Sequence, residues 1–374
     1  MNTNPDIMER INKRIMALKQ RLKEKGLDAA MIYDRENIIY FTGIDDLEGG
    51  VLVVPTEGEP ELYCLWLDYE STKAATGIEK VIPYKFPHNN QSILAARWLA
   101  SLNIKAPKVG FTRYFISLKD YQCLMEAVPD IIISDIAGVC YEIRAIKEDY
   151  EISLMKEAAR AVSAGMEAAV NAIKPGMTET QVLAGAEYAM RNAGSQGPSF
   201  RMQVLSHDRQ LQAHPYAGSR ELCNNQPVVI HLGATYAGYT SKMCRTVFLG
   251  NVDKEIQRVY DTLIQAQEAA VLASHPGAAA GEIYEAASCV LINNGYQEPW
   301  LDHIGYGVGI RQSEFYPVIA KGSTVRLEEN MVIDLLLPTI FRRNAGGPRI
   351  TDTILIKKEG NQFLTEFSRK HIYR

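Results

Sequence analysis

The first part of the chain alternates helical and strand-like hydrophobic patterns. Residues Ile11–Lys25 combine apolar positions at helical spacing with basic side chains, which predicts an amphipathic helix. The apolar runs Ala29–Tyr33 and Gly50–Val54 predict short buried strands, and a further apolar segment, Asn37–Gly43, lies between them. Because strands and helices alternate, we predict an α/β domain over residues 1–143.

The second part separates its helices from its strands. A long helix is predicted from Lys147, since apolar residues recur at helical spacing up to the Pro175-Gly176 stop. Three further helices are predicted from Thr178, over 254–274 and over 281–294, and strands are predicted at 227–233, 243–250, 330–338 and 349–357. This order predicts an α+β domain over residues 144–374, with helices packed on a curved antiparallel sheet.

Composition narrows the class of protein. A hydrophobic share of 47% and a charged share of 22% are typical of a soluble globular protein. The net charge of −4 gives no reason to expect nucleic acid or a membrane as a partner, and no apolar run reaches the ~20 residues of a membrane span. The first residues are polar, without the apolar core that we would expect of a secretory signal, and six scattered cysteines without CxxC spacing fit a reducing compartment. We therefore expect a cytoplasmic protein.

Six stretches, in the same order along the chain, resemble the creatinase/aminopeptidase P family. They are Asp28–Gly43, the junction Arg144–Ala159, the turn Ile173–Glu179, the block from His214 to Thr246, Gly305–Pro317 with its Gly-Tyr-Gly-Val-Gly run, and Arg349–Thr353. The resemblance implies a small N-terminal domain, a pita-bread C-terminal domain and a homodimer whose cleft is completed by the partner's N-terminal domain.

Peptidases of this family hold two divalent metals with two Asp, one His and two Glu. The matching positions of this chain carry His231, Lys242, Tyr306, Leu336 (or Leu337, given one residue of ambiguity) and Thr351. Leucine has no lone pair to donate, and a lysine ammonium repels a metal cation. From this comparison we expect no metal site and no other cofactor.

One relative, creatinase, has this fold and uses no metal. The resemblance therefore implies a metal-independent, creatinase-like hydrolase that cleaves a C–N bond of a small cationic nitrogen compound. Three alternatives remain open: a pseudoenzyme or binding protein, a non-hydrolytic lyase, and an Xaa-Pro peptidase.

Three residues are candidates for catalysis. His214 takes the position of the creatinase base, and an imidazole with an ordinary pKa near ~6.5 both accepts and returns protons at neutral pH; the alternative is a structural loop histidine. Glu314 would orient a substrate nitrogen or pair with His214, or else form a structural ion pair. Lys242 would stabilise an oxyanion or act as a desolvated base, or else be a solvent-facing lysine.

Five further residues are candidates for substrate binding. His231, Tyr306 and Thr351 take cleft positions of the family; the alternatives are a core histidine for His231 and a space-filling ring for Tyr306. Asp46 and Glu48 take the positions of the aromatic residue and the arginine with which creatinase reaches its partner's substrate. That change would favour a cationic ligand, unless the segment is only a solvated acidic turn.

Overall fold

The computed structural model describes residues 5–112, 116–212, 214–296, 302–337 and 347–374. Its backbone forms two compact units, Met1–Arg144 and Ala145–Arg374. The first unit contains a mixed sheet and the second a larger, mainly antiparallel sheet. The predicted fold class, an α/β N-terminal domain followed by an α+β pita-bread domain, is confirmed.

The first unit is built on a six-stranded sheet in the order β4-β3-β2-β1-β5-β6. Its elements are α1 Pro5–Glu24, β1 Ala29–Ile32, α2 Arg35–Thr42, β2 Gly50–Pro55, β3 Glu61–Leu65, α3 Tyr69–Ala75, β4 Lys80–Tyr84, α4 Gln91–Ser101, β5 Lys108–Phe111, α5 Leu118–Ala127 and β6 Ile132–Asp135, with α6 Ala137–Ala145 following. Both β1 and β2 are buried along their whole length, which explains their apolar sequences.

The segment between the first two strands is a helix. Asp34 caps the N-terminus of α2 by accepting a hydrogen bond from the backbone N–H of Asn37. Gly43 ends the helix at φ 78°, in the left-handed region that glycine enters without strain. The following loop contains Asp46 and Glu48, which are both exposed, and the Asp45 carbonyl accepts a hydrogen bond from Arg35.

The second unit pairs its main strands in the order β12-β11-β13-β14-β10-β9-β7. Its elements are α7 Asp149–Ala172, α8 Glu179–Asn192, β7 Gly197–Pro198, β8 Gln203–Leu205, a 3₁₀ helix His207–Leu211, β9 Gln226–Tyr236, β10 Tyr239–Leu249, α9 Lys254–Ala273, α10 Ala280–Asn293, β11 His303–Gly307, β12 Glu314–Ala320, β13 Val332–Leu336, β14 Thr351–Leu355, β15 Gln362–Phe363 and β16 Ile372–Tyr373. The last residue of the predicted strand 330–338, Pro338, lies outside the described residues.

Two helix pairs cover this sheet and bury separate apolar clusters. Helices α7 and α8 pack on β9 and β10, while α9 and α10 pack on β11 to β14. A capping box of Thr178 and Gln181 starts α8. At Gly165 a β-carbon would come within 2.5 Å of Met190, so glycine permits the close approach of α7 and α8. Within the described residues, no helix has the length and apolar character that crossing a membrane requires.

Arg245 fixes the pairing of β10 with β14. Its guanidinium is fully buried, forms a 2.7 Å ion pair with Asp352 and donates to the carbonyls of Cys244 and Thr351. It also donates to the carbonyls of Phe367 and Ser368, which fastens the C-terminal segment to the sheet. The two strands are direct partners at Cys244 and Thr351.

Replacing Asp352 by Asn should therefore destabilise the second unit strongly. The substitution leaves the guanidinium of Arg245 buried without a countercharge, a situation that costs about 3–5 kcal/mol. Asp261→Asn, at a half-exposed ion pair with His371, is the matched control and should cost less than about 1 kcal/mol. Chemical denaturation measures both, and an equal loss of stability in the two variants would contradict the prediction.

Candidate functional site

The candidate site lies on one face of the second unit's sheet. His231 on β9 is the cross-strand partner of Cys244, Cys244 is the partner of Thr351, and Thr351 is the partner of Leu336. Cross-strand partners point to the same face, and so do residues two apart on one strand. Lys242 and Asp334 therefore share this face with His231, Thr351 and Leu336. The register pairs Leu336, and not the fully buried Leu337, with Thr351.

Lys242 is buried, so the solvent-facing alternative is excluded. Its side chain is 4% exposed, and its Nζ lies 2.6 Å from Oδ2 of Asp334, as an ion pair without the alignment of a hydrogen bond. Two hydrogen bonds of 3.1 Å, to Oε1 of Gln312 and Oγ of Ser313, complete its surroundings. The hydroxyl of Thr353 bonds to both the N–H and the carbonyl of Lys242, which holds the backbone of β10 here.

Asp334 is the acidic residue of the face that the sequence analysis missed. Its carboxylate is fully buried, and Oδ1 accepts a hydrogen bond of 2.6 Å from the backbone N–H of Tyr306. Burial, together with the negative charge of Asp334, raises the pKa of the Tyr306 phenol, so this hydroxyl stays protonated at neutral pH. A lone Asp inside the apolar run Val332–Leu337 was the available signal, since buried acids are rare unless paired.

His231 presents a neutral imidazole. The residue as a whole is partly exposed, but its Nε2 is buried without a hydrogen-bond partner among the described residues, and the ring centroid lies 4.5 Å from that of Phe200. Burial lowers the pKa of His231 well below its usual value, and the charges of Lys242, Arg349 and His214 add to this effect. The buried Thr351 Oγ1 likewise has no partner within the part of the chain that is described.

His214 and Glu314 have different surroundings. His214 is exposed, and its carbonyl accepts a 2.9 Å hydrogen bond from Arg201. The loop before it is anchored by Arg349, which donates to the carbonyls of Gln210 and Gln212. Glu314 is buried and its carboxylate lies 3.9 Å from Nζ of Lys147, an ion pair that matches the structural alternative for this residue.

The site residues predicted from sequence thus fall into four places. His231, Lys242 and Thr351 share the sheet face with Tyr306. His214 lies in a loop, and Glu314 forms an ion pair with Lys147. Asp46 and Glu48 belong to the first unit, which is described by itself. The catalytic and binding roles of these residues stay predictions.

The residues of this face do not fit a two-metal centre. Among the described residues its one carboxylate, Asp334, is neutralised by Lys242, and His231, Tyr306 and Thr351 offer only uncharged groups. No cluster of three His, Cys, Asp or Glu side chains suited to a metal ion occurs in the described ranges. Divalent metals in proteins need several carboxylate or imidazole donors, so no step is assigned to a metal here.

Comparisons with known proteins match each of the two units to a protein family. Residues 14–146 match the Creatinase/Prolidase N-terminal domain, and residues 153–358 match metallopeptidase family M24. The chain is 31% identical over 361 residues to the "Putative dipeptidase YkvY" of Bacillus subtilis, covering 95% of this chain and 98% of that protein. It is 29% identical to the "Xaa-Pro dipeptidase" of Pyrococcus horikoshii, covering 98% of this chain and all of that protein. The solved prolidase of Pyrococcus horikoshii superposes with a TM-score of 0.87 at 28% identity, over 96% of this chain and 100% of that one.

These matches confirm the resemblance to the creatinase/aminopeptidase P family and correct the expected function. The prediction of a metal-independent, creatinase-like hydrolase of a small cationic compound is wrong, because the relatives that span both domains bear the names of dipeptidases and prolidases. The accompanying expectation that the chain stands apart as a metal-free member finds no support in these names. The residue types at the metal positions had favoured creatinase, whereas relatives with dipeptidase names match both domains.

The neutral state of His231 predicts how stability depends on pH. The pKa of His231 is lower in the folded than in the unfolded protein, so below pH ~6.5 the unfolded state binds a proton that the folded state does not. The free energy of unfolding therefore decreases as the pH is lowered below this value. One proton corresponds to a slope of about 1.4 kcal/mol per pH unit. His231→Gln should remove this slope, whereas His275→Gln, at an exposed histidine, should keep it.

Urea unfolding of the three proteins between pH 7.5 and 5 measures these slopes. Parallel pH profiles for wild type and His231→Gln would mean that His231 does not resist protonation.

Proposed function

The chain belongs to metallopeptidase family M24, and on that premise we propose that it is a hydrolase of the dipeptidase class that acts on short peptides. The observation that carries the proposal is the length of the similarity. Relatives named dipeptidase and Xaa-Pro dipeptidase match both units over nearly their whole length. A match limited to the fold of one domain would not indicate a class of substrate. Xaa-Pro dipeptides are the first candidates.

The chemistry of the sheet face supports a peptide as the ligand. A peptide group has one N–H donor and one carbonyl acceptor, both uncharged. A neutral imidazole offers one donor and one acceptor, and a threonine hydroxyl offers both as well. His231 and Thr351 carry such atoms, buried and unpartnered among the described residues, so a bound peptide would satisfy them.

His214 is the group we propose for proton transfer. Hydrolysis of an amide adds water across the C–N bond, so that the acyl carbon gains the water oxygen and the leaving amine gains a proton, and an accessible imidazole is a group that transfers such a proton. Arg349 and Arg201 hold the backbone on either side of this loop position through the carbonyls of Gln212 and His214. The proposal assigns no step to a metal.

A second candidate is a protein that binds short peptides without cleaving them. It is favoured by the ion pair of Lys242 and Asp334, which occupies part of the face where the resemblance places metal ligands. The predicted homodimer and the predicted cytoplasmic location fit both candidates and stay predictions.

A panel of Xaa-Pro and Xaa-Xaa dipeptides separates the two candidates. The purified chain is incubated with each peptide in Mn²⁺, in Co²⁺, in Zn²⁺ and in EDTA, and released amino acids are measured by mass spectrometry while calorimetry measures binding. We expect release of both amino acids from at least one class, with the N-acetylated peptides as controls. Binding without release would select the second candidate, and neither binding nor release would reject both.

His214→Ala should reduce the turnover of any peptide that is cleaved. Removal of one general acid–base group typically lowers kcat about 10²–10⁴-fold. Because the side chain is exposed, Tm should stay within about 2 °C of the wild type. His275→Ala, also at an exposed histidine, is the control for a nonspecific loss. A wild-type kcat in the His214 variant would remove this residue from the mechanism.

A further inference from the structure

The side chain of Lys242 is enclosed by oxygen atoms from three other residues. Oδ2 of Asp334 lies 2.6 Å from Nζ, and the oxygens of Gln312 and Ser313 each lie 3.1 Å away. An ammonium has three N–H donors; two of them bond to Gln312 and Ser313, and the ion pair with Asp334 supplies the countercharge. Moreover, Ser313 donates to the same Gln312 oxygen at 3.1 Å, which fixes the orientation of the shell.

The partner carboxylate is equally constrained. Asp334 is 0% exposed, one oxygen faces Lys242, and the other accepts the backbone N–H of Tyr306. Gly305 lies against the backbone of Asp334. A β-carbon at this position would come within 2.1 Å of the Asp334 carbonyl oxygen, so the close approach requires glycine. The neighbouring strands β11 and β13 are therefore in close contact beside the ion pair.

A cation held in this way joins separate parts of the sheet. Lys242 belongs to β10, Asp334 to β13, and Gln312 and Ser313 to the segment that leads into β12. The Asp334 carboxylate adds β11 through Tyr306. A bound metal ion also cross-links and neutralises acidic side chains, because several oxygen atoms surround one cation.

We infer that Lys242 is the resident cation of this sheet face, a side-chain ammonium that neutralises Asp334 and cross-links β10, β13 and the segment before β12 in the place of a divalent metal. A second cation here would face an ammonium, and repulsion between like charges is strong where water is excluded. The inference concerns the cation of the face and stands whether or not the chain cleaves peptides.

The charge pair is tested by single and double substitution. Lys242→Met leaves the Asp334 carboxylate buried without a countercharge, and Asp334→Asn leaves the Lys242 ammonium buried without one. Each single substitution should lower Tm by on the order of 10 °C. The double variant Lys242→Met/Asp334→Asn should recover a large part of the loss, because it buries no unpaired charge. Lys358→Met, at an ion pair whose lysine is 73% exposed, is the control and should shift Tm by less than about 2 °C.

Additive losses in the double variant, or a wild-type Tm for Lys242→Met, would overturn the inference. A single variant that does not fold at all supports it only when the double variant folds, and failure of all three to fold counts against a role limited to charge compensation.

Metal binding gives the second readout. After desalting, wild-type protein should contain well under one equivalent of Mn, Co, Zn or Fe per chain, and its Tm should not move in millimolar Mn²⁺ or Zn²⁺. Lys242→Asp would set a second carboxylate beside Asp334 and near His231, which is a donor set that binds divalent cations. Its Tm should therefore rise by several degrees with the same metals. Stoichiometric metal in the wild type would sink the inference directly, and a Lys242→Asp variant indifferent to metal would count against the cation position.

Discussion

The buried guanidinium of Arg245 is the contact on which the second unit depends. It neutralises Asp352 and draws the carbonyls of two strands and of the C-terminal segment around one planar group. By fixing the register of β10 against β14, it decides which residues stand side by side on the opposite face of the same strands. The site face, with His231, Lys242 and Thr351, is the consequence of that register, because side chains alternate along each strand.

Charge balance on the site face follows from one lysine and one aspartate. Lys242 and Asp334 cancel each other at 2.6 Å, and burial keeps His231 and the phenol of Tyr306 uncharged. The face is thus polar but close to neutral, with atoms on His231 and Thr351 that have no partner among the described residues. Such a surface suits the amide groups of a peptide better than it suits an isolated charge, because desolvating a charge is costly without a counterion.

For this chain, family membership indicates a metallopeptidase, whereas the side chains of the sheet face do not suit a metal centre. The dipeptidases that it resembles match it over both units, which supports peptide chemistry, whereas the donor set on the sheet face is not that of a metal centre. A fold carries its shape through many substitutions, but an activity depends on a few side chains. Hydrolysis and binding without hydrolysis are therefore distinct proposals on the same scaffold.

Sequence alone determined the elements and the family. The helices α7 to α10 and the strands β13 and β14 lie close to their predicted bounds, because hydrophobic periodicity and Pro-Gly stops act locally. The hairpin of β9 and β10 is longer than predicted: β9 ends three residues later and β10 begins four residues earlier. The segment after Asp34 is less clear from sequence, since a short buried helix and a buried strand share the same apolar composition. The residue types at the five cleft positions were also readable. Only the tertiary structure paired Lys242 with Asp334, Glu314 with Lys147 and Arg349 with the loop before His214, because residues far apart in the chain meet only when the strands are in register.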